Sequence, residues 1–355
     1  MRFPEFSGEW ELVALKEVAD FANGKAHEDS VSEDGKYILI NSKFISTEGK
    51  VKKYTDKQLS PLYKNQIVMV MSDLPNGKAL AKCYYINEDD KYTLNQRICS
   101  LTPTCCDSRF LLYQINRNKY YLRFDDGVNQ TNLKKGEVLN CPVYLPSSNE
   151  QQKISALLSL LDQRIETQKE IIEKYESLIR GLCEKLTQQE PVNKTISECL
   201  DCHSSTLQES EVLDVGKYPV YGATGVCGYT EHPDVTEDGI LIIKDGASVG
   251  MTYYASGCYS HIGTLNRLTA KKGVNLRYIY YCLKVMNFAP YKTGLAIPHI
   301  YFKDYGKHKI WCPTYEQQSE VENLLKQIDD KIQVEESLLE RLDSQKRFLL
   351  QSMLI

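Results

Sequence analysis

The sequence lacks the segments that place a protein in or across a membrane. No window of about 18 uninterrupted apolar residues occurs, so nothing in it predicts a transmembrane helix. The first residues, Met1–Phe6, have no positively charged start followed by an apolar stretch, so we expect no secretory signal. The 12 cysteines then belong to a reducing compartment, as small buried side chains or idle thiols. We therefore expect a cytoplasmic protein.

The motifs of common enzyme classes are also missing. The sequence has no Gly-x-x-x-x-Gly-Lys-Ser/Thr loop, no Gly-x-Gly-x-x-Gly before a helix and no His-Glu-x-x-His. It also lacks the Asn/Asp-Pro-Pro-Tyr/Phe tetrapeptide with which amino-methyltransferases grip a flipped base. Residues 199–203 spell Cys-x-x-Cys-His, but haem attachment would need export and a zinc ribbon would need a second close pair. We predict no catalytic residue, no metal and no cofactor on this chain.

The bulk composition is that of a globular protein. At 355 residues the chain is long enough for two or three domains with their own cores. Hydrophobic residues make up 42% and charged residues 25%, which is ordinary for such a protein. The formal net charge of −4 argues mildly against wholesale wrapping of nucleic acid but leaves room for local basic patches.

Two long amphipathic helices are the clearest prediction. After Glu150-Gln151-Gln152, apolar residues recur at alternating steps of four and three, and the same pattern follows Glu316-Gln317-Gln318. Such spacing is typical of a coiled-coil seam. Each helix would run roughly 50–55 Å. The residues predicted to pair the helices are Ile154, Leu158, Leu161, Ile165, Ile172, Ile179, Val321, Leu325, Ile328, Ile332, Leu339 and Leu342.

The two seams share their polar exceptions. A shift of 167 residues places Gln168 on Glu335 and Asp162 on Asp329. Polar residues at a seam fix register at some cost in stability, so we predict that the two helices pair with each other in antiparallel orientation. The alternative is a pair of unrelated amphipathic helices. Outer apolar neighbours such as Leu157 and Leu324 widen each stripe, which favours further helices from other subunits.

The segments outside the helices repeat one order of elements. Strands are predicted at Tyr37–Ile40 and Gln66–Met71, whereas Trp10–Leu15 reads as a strand or turn and Val18–Phe21 as the start of a helix. We predict an α+β fold in which two mixed α/β domains are separated by two long antiparallel helices, with an internal pseudo-two-fold repeat. The parts are a first domain at 1–147, a central spacer helix at 148–186, a second domain at 187–313 and a distal spacer helix at 314–355.

This order resembles the specificity subunit of Type I restriction–modification systems. Pro146 and Pro313, which shortly precede Glu150-Gln151-Gln152 and Glu316-Gln317-Gln318, match the family pattern. The loops Gly127–Leu133 and Gly294–Ile300 match it too. The resemblance implies a non-catalytic reader of double-stranded DNA, in which each target-recognition domain binds half of a bipartite, asymmetric sequence. It also implies two docked modification subunits, which bring S-adenosylmethionine and adenine methylation, and a nuclease-motor restriction subunit. It implies no small-molecule substrate.

Polar loops are the expected reading elements of such domains. Arg, Asn and Gln read base edges through paired hydrogen bonds, and short polar side chains assist them. The residues predicted to contact DNA in the first domain are Asn41, Ser42, Lys43, Ser72, Asn76, Lys78, Asn95, Gln96, Arg97, Asn129, Gln130 and Asn132. Those in the second domain are Tyr221, Thr224, Lys244, Ser248, His261, Lys292, Thr293 and His299.

Two other functions fit the same plan. The first is a scaffold whose two domains bind protein or carbohydrate ligands at a distance that the helices fix. The second is a dimerisation protein with an antiparallel coil and catalytic end domains, which the missing motifs disfavour.

Overall fold

The computed structural model describes residues 2–294 and 296–354. Leu295, inside the predicted loop Gly294–Ile300, lies outside the described residues. The chain divides into two compact units. Unit 1 comprises Met1–Thr167 and Leu339–Ile355, and unit 2 comprises Gln168–Leu338. The division falls inside both long helices, so each unit contains one segment of each helix.

Unit 1 is built from short strands and short helices, together with one segment of each long helix. Its strands are β1 Glu11–Ala14, β2 Ala19–Asn23, β3 Val31–Ser32, β4 Tyr37–Ile40, β5 Tyr54–Thr55, β6 Ile67–Val70, β7 Ser72–Asp73, β8 Cys83–Tyr85, β9 Tyr92–Leu94, β10 Ile98–Pro103, β11 Thr131–Asn132 and β12 Pro142–Leu145. Its short helices are α1 Ser42–Ser46, α2 Ser108–Ile115, α3 Lys119–Leu122 and α4 Lys135–Leu139, with 3₁₀ turns at Leu15–Glu17 and Glu28–Ser30. The long helix α5 follows at Ser148–Thr187.

Two four-stranded sheets form the body of unit 1, in the orders β2-β10-β6-β8 and β3-β5-β4-β9. The central strand β6 is apolar throughout because both of its faces are covered. Ile67 and Met69 pack in one cluster with Leu111 of α2, while Val68 and Val70 pack in another with Phe44 of α1. Pairs β1–β12 and β7–β11 complete the unit.

Unit 2 repeats this layout with different lengths. Its strands are β13 Lys194–Thr195, β14 Leu200–Ser204, β15 Tyr218–Gly222, β16 Gly225–Thr230, β17 Gly239–Ile243, β18 Thr252–Ala255, β19 Ser260–His261, β20 Leu265–Ala270 and β21 Lys309–Ile310. Its short helices are α6 Ile196–Cys199, α7 Leu276–Lys284 and α8 Phe302–Tyr305, with 3₁₀ turns at Glu209–Glu211 and Ala289–Tyr291. The long helix α9 follows at Tyr315–Met353.

The sheets of unit 2 correspond to those of unit 1. The order β14-β20-β17-β18 matches β2-β10-β6-β8, and the parallel pair β15–β19 matches the parallel pair β4–β9. The central strand β17 is again buried on both faces. Ile240 and Ile242 pack with Tyr278 of α7, whereas Leu241 and Ile243 pack with Val220 of β15. The same core is therefore built twice.

Each unit also contains a contact between its two long-helix segments. In unit 1, Ile154 and Leu158 of α5 pack with Met353 of α9. Further along α5, Asp162 forms an ion pair with Lys346 of α9 at 2.5 Å. Because the later residue of α5 meets the earlier residue of α9, the two segments run in opposite directions. The seam residues that are buried are Ile154, Leu158, Leu161, Ile165, Ile172, Ile179, Leu325, Ile332 and Leu342, and those that are half-buried are Val321, Ile328 and Leu339.

The polar seam residues meet in unit 2. The Gln168 side-chain amide donates to a carboxylate oxygen of Glu335 at 2.5 Å and to its backbone carbonyl at 3.1 Å. Hydrogen bonds from Lys331 and Gln168 lower the pKa of the Glu335 carboxyl. The two residues that interrupt the apolar pattern thus satisfy each other.

The predicted helix start at Val18–Phe21 is wrong. The segment enters β2, which pairs with β10 in the register Phe21↔Leu101. That partner lies far along the chain, so local spacing gave no sign of the pairing. Tyr37–Ile40 and the core of Gln66–Met71 are strands, as predicted. Among residues 2–294 and 296–354, no helix combines the length and apolarity needed to span a membrane.

All 12 cysteines are free thiols. Cys105 in unit 1 and Cys258 in unit 2 are exposed, Cys106, Cys202 and Cys227 are half-buried, and the other thiols are buried.

Candidate nucleic-acid interface

A polar cleft of about 450 Å³ opens where three strands of unit 1 end. β4, β6 and β9 end at Ile40, Val70 and Leu94, and the residues that follow each strand line the cleft. Several residues predicted from sequence are brought together here, namely Asn41, Ser42, Ser72, Asn95, Gln96, Arg97 and Gln130. The cleft is therefore rich in the amide, hydroxyl and guanidinium groups that read base edges.

A ladder of neutral hydrogen bonds crosses the strand pair β7–β11 at one wall of this cleft. Ser72 Oγ donates to Asn132 Oδ1 at 2.6 Å, and Gln130 Nε2 donates to Ser72 Oγ at 2.7 Å. Gln130 and Asn132 are exposed, whereas Ser72 is half-buried. Gln130 lines the cleft, so the bond to Ser72 holds its amide there, while Asn132 lies beside Ser72 on the neighbouring strand.

The turn between β9 and β10 also lines the cleft. Asn95 Oδ1 is buried without a hydrogen-bond partner among the described residues. Arg97 is exposed and adopts a left-handed conformation with φ of 68°. Non-glycine residues in this region carry strain of order 1 kcal/mol and are found at functional sites. The turn thus combines a buried, unpartnered amide oxygen with a strained, exposed guanidinium at the cleft.

Other predicted residues of unit 1 make hydrogen bonds within the fold or lie outside the cleft. Asn41, although it lines the cleft, caps α1 by accepting from Phe44 N at 2.8 Å. Asn76 Nδ2 donates to Gly127 O at 3.1 Å. Asn129 bonds to Asp126 through its backbone at 2.8 Å and its amide at 3.0 Å. Lys43 and Lys78 are exposed and do not line the cleft.

Sequence reasoning missed three residues of this cleft, Asp73, Leu74 and Ile98. Asp73 accepts hydrogen bonds from the backbone amides of Leu74, Ala79 and Leu80 and so shapes the loop after β7. A Cβ at Gly77 would lie 2.1 Å from Asp73 Oδ2, so a side chain there would displace the Asp73 carboxylate that holds the loop. Leu74 lines the cleft with 69% of its surface exposed. An acidic residue followed by an apolar one gave no sign of this role in the sequence.

The residue that follows strand β6 in unit 1 and strand β17 in unit 2 accepts the same backbone hydrogen bond, and we call this bond and the residues next to it the junction of each unit. The two junctions carry different side chains. Ile300 N donates to Lys244 O at 3.0 Å, as Leu133 N donates to Met71 O at 2.8 Å in unit 1. The residues next to these bonds are Asp245 and His299 in unit 2, in place of Ser72 and Asn132.

Asp245 and His299 form a backbone bridge, and their side chains meet with Oδ1 and Nδ1 2.6 Å apart. Both side chains are about one-third exposed. Thr293 bridges His299 from the other side. Of the residues predicted in this domain, Lys244, Thr293 and His299 are brought together here.

A second polar cleft, of about 460 Å³, lies elsewhere in unit 2. Only His261 among the predicted residues lines it, together with His203, Glu211, Asp234 and Arg267. His261 is 4% exposed, and within the described residues neither ring nitrogen has a partner. Burial, with a smaller effect from Arg267, lowers its pKa to about 4. The imidazole is therefore neutral at pH 7 and offers one donor and one acceptor.

The remaining predicted residues of unit 2 are scattered. The Tyr221 ring packs edge-on against Tyr259 at 5.7 Å. Thr224 is exposed in the turn between β15 and β16, and Ser248 is half-buried between β17 and β18. Lys292 is exposed after a 3₁₀ turn. None of these four side chains lines the second cleft.

The Cys-x-x-Cys-His motif is divided between two elements. Cys199 ends α6 and is buried, while Cys202 and His203 belong to β14. Across the described part of the chain, no group of three or more His, Cys, Asp or Glu residues is arranged to hold a metal ion.

Comparison with known proteins decides the family. The model described as "Type I restriction modification DNA specificity domain" matches residues 7–177 and again residues 193–344. The chain belongs to this family. Specificity subunits of Type I systems are the non-catalytic DNA-recognition subunits, and they act with DNA and with partners of the restriction–modification complex.

Individual relatives agree with this assignment. The chain is 23% identical over 304 residues to a putative type I specificity subunit of Mycoplasma genitalium, covering 78% of this chain and 75% of that protein. It is 24% identical over 304 residues to a counterpart in Mycoplasma pneumoniae, covering 78% and 77%. The crystal structure of the S subunit of a Type I system from M. genitalium has the same fold, with a TM-score of 0.70, 19% identity and coverage of 99% and 97%.

A structure from a study of assembly and conformational transition of the type I restriction–modification system has the same fold too. Its TM-score is 0.54 at 15% identity, covering 98% of both chains.

Proposed function

We propose that this specificity subunit reads a bipartite, asymmetric DNA target, with one half-site contacted by each recognition domain. In this proposal residues 1–147 and 187–313 are the recognition domains, and residues 148–186 and 314–355 are spacer helices that pair as an antiparallel coiled coil with a pseudo-two-fold axis. Two modification subunits dock on it and supply S-adenosylmethionine and adenine methylation, and a nuclease-motor subunit completes the complex. Because its substrate is cellular DNA, we expect it to act in the cytoplasm.

The repeated junction at the reading face carries the proposal. One scaffold is built in each unit, but the same position holds the neutral pair Ser72–Asn132 in one and the acid–imidazole pair Asp245–His299 in the other. Amides and acid–imidazole pairs present different donor and acceptor patterns to a base edge. Two such faces are suited to two unlike half-sites.

The helices support the docking part of the proposal. Apolar side chains on their outer faces remain exposed, including Leu160 at 65%, Val334 at 60% and Phe348 at 56%. Exposed apolar stripes of this kind mark contact surfaces for other chains. We propose that helices of the modification subunits cover them, and that the length of the spacer helices sets the gap in the DNA target.

Methylome sequencing tests the proposal. The chain is expressed with its modification partner in a host that lacks both, and the wild type is expected to produce methylated adenines in one two-part motif with a fixed gap. Arg97→Ala should change the bases accepted in one half only, because Arg97 is exposed at the cleft of unit 1. His299→Ala should change the other half only.

The control is Lys64→Ala, because Lys64 is exposed before β6, at the end of that strand opposite the cleft. It should leave both halves unchanged. A methylome that does not differ from that of the empty host, or an Arg97→Ala variant that alters both halves, would contradict the proposal.

A further inference from the structure

A buried glutamine ties the first long helix, α5, to the short helix α2 of the same unit. Gln151 is 4% exposed. Its side-chain Nε2 donates to Pro146 O at 2.8 Å, and its Oε1 accepts from the backbone amide of Asp107 at 2.9 Å. Asp107 is the N-cap of α2. One side chain therefore joins the start of α5 to the start of α2.

Unit 2 repeats this contact at the equivalent position. Gln318 is 1% exposed, its Nε2 donates to Pro313 O at 2.8 Å, and its Oε1 accepts from the backbone amide of Asn275 at 2.8 Å. Asn275 is the N-cap of α7. Gln318 corresponds to Gln151 under the shift of 167 residues that superposes the helix seams.

Glu150-Gln151-Gln152 and Glu316-Gln317-Gln318 therefore align with an offset of one residue under the shift of 167. The buried glutamine is the second residue of the first tripeptide and the third residue of the second.

A second contact lies further along the same pair of helices in each unit. The Tyr113 hydroxyl on α2 donates to Asp162 Oδ2 at 2.6 Å. Lys284 on α7 donates to Asp329 Oδ1 at 3.1 Å. Asp162 and Asp329 are again equivalent under the same shift. We call the glutamine contact and the aspartate contact together the latch of each unit.

The latch connects the reading face to the helix by a short path. In unit 1 the cleft residue Ile98 begins β10, β10 leads to α2, and α2 is held to α5 at both ends by Gln151 and Tyr113. Two contacts along a helix prevent it from swinging about either one. A buried amide left unpaired is costly, so the latch has one favoured position.

We propose that Gln151 and Gln318 are positioning residues that fix each recognition domain on its helix and thereby fix the gap between the half-sites. The inference rests on the proposed bipartite reading for its readout. It predicts that loosening a latch leaves the recognised bases unchanged and relaxes only the gap.

The test compares three variants of the full chain, each with its modification partner. Gln151→Ala removes both glutamine bonds. Tyr113→Phe removes a single oxygen and keeps the ring that packs with Ile154 and Leu158, so it guards against a folding defect. Gln152→Ala is the matched control, because Gln152 is the exposed neighbour in the same tripeptide. The readout is methylation of DNA whose half-sites are separated by the normal gap or by one base pair more or less.

Both latch variants are expected to raise methylation at the altered gaps relative to the normal gap by roughly tenfold, the factor that losing hydrogen bonds of this kind produces. Hydrogen exchange at the α2 amides should rise in parallel, and Gln152→Ala should match wild type. If Gln151→Ala and Tyr113→Phe lower methylation equally at every gap, the latch is merely structural and the inference is wrong. If wild type itself methylates no two-part motif, the proposed function fails instead.

Discussion

The two units hold their short helices with the same glutamine contact, but they carry different side-chain pairs at their junctions. Gln151 and Gln318 bond to the N-cap of a short helix at 2.9 and 2.8 Å. At the junction, in contrast, Ser72–Asn132 is replaced by Asp245–His299, with the same separation of 2.6 Å. The junction therefore lies at the same place in both units, but its side chains differ. Under the proposed bipartite reading, a scaffold that tolerates such an exchange would let each half of the target change independently.

The largest expected effect tests whether the units are equivalent in their cores. Leu158 and Leu325 are equivalent seam positions, and both are fully buried. Leu158→Ala or Leu325→Ala should each cost about 2–5 kcal/mol of unfolding free energy, because a cavity remains. Hydrogen exchange should locate the loss in unit 1 for the first variant and in unit 2 for the second.

The matched controls for these variants are the adjacent equivalent residues Leu157 and Leu324, which are 36% and 46% exposed. Their alanine variants should stay within about 0.5 kcal/mol of wild type. Equal loss of protection in both units after a single core substitution would break the comparison.

The next prediction exchanges the junctions. Giving unit 2 the pair of unit 1, by Asp245→Ser with His299→Asn, should reduce discrimination at one half-site by about 1–3 kcal/mol, because a specific base contact is worth that much. Binding competition between DNA duplexes that differ in one half measures it. The reciprocal exchange, Ser72→Asp with Asn132→His, should affect the opposite half. An effect on both halves from either exchange would show that the junctions are coupled.

A smaller effect concerns pH. Burial lowers the pKa of His261 to about 4 from its ordinary 6.5, so the unfolded chain binds more protons between these values. The contribution of His261 to the free energy of unfolding is fully present above pH 6.5 and is lost as pH falls toward 4. Ile98 pairs with the strand end Val70 as Leu265 pairs with Ile243, so the position of His261, four residues before Leu265, is occupied in unit 1 by Leu94, which does not titrate. Unit 2 should therefore lose protection from hydrogen exchange over this range.

His261→Gln should flatten that dependence, and the exposed cleft residue His203 provides the control variant His203→Gln. An unchanged pH profile in His261→Gln would exclude His261 as its source.

The smallest effect separates stability from reading. Arg97 has φ of 68°, a conformation that glycine adopts without strain. Arg97→Gly should leave the chain as stable as wild type or more stable by up to about 1 kcal/mol, while it loses discrimination at one half-site. Arg97→Ala should lose discrimination without the gain in stability. Thermal unfolding and DNA competition on the same samples make the comparison, and a stability loss in Arg97→Gly would contradict the assignment of strain.

Sequence patterns predicted the parts of the fold that local spacing controls. The heptads placed Leu158 and Leu325 correctly inside because helical periodicity depends only on neighbours in the chain. Pairing of Gln168 with Glu335 followed from their shared position. The strand at Phe21 was missed because its partner, Leu101, is distant in sequence.

More of the predicted site residues lie together in unit 1 than in unit 2. Polar residues directly after the strands of unit 1, such as Asn95 and Gln130, converge on one cleft. In unit 2 the predicted His261 and His299 lie at separate places, because long-range pairing decides which loop ends meet. The sequence contains both glutamines of Glu150-Gln151-Gln152, but only the fold shows that Gln151 is buried and Gln152 is exposed.

The two exposed cysteines give the chain one natural labelling point in each unit. Maleimide dyes react with thiolates, and burial raises the pKa of competing thiols such as Cys106 to about 12 and Cys202 to about 11. Cys105 and Cys258 should therefore be modified first, without engineering. A donor and an acceptor fluorophore at these residues would follow the separation of the recognition domains in real time as duplex DNA and methylating subunits are added.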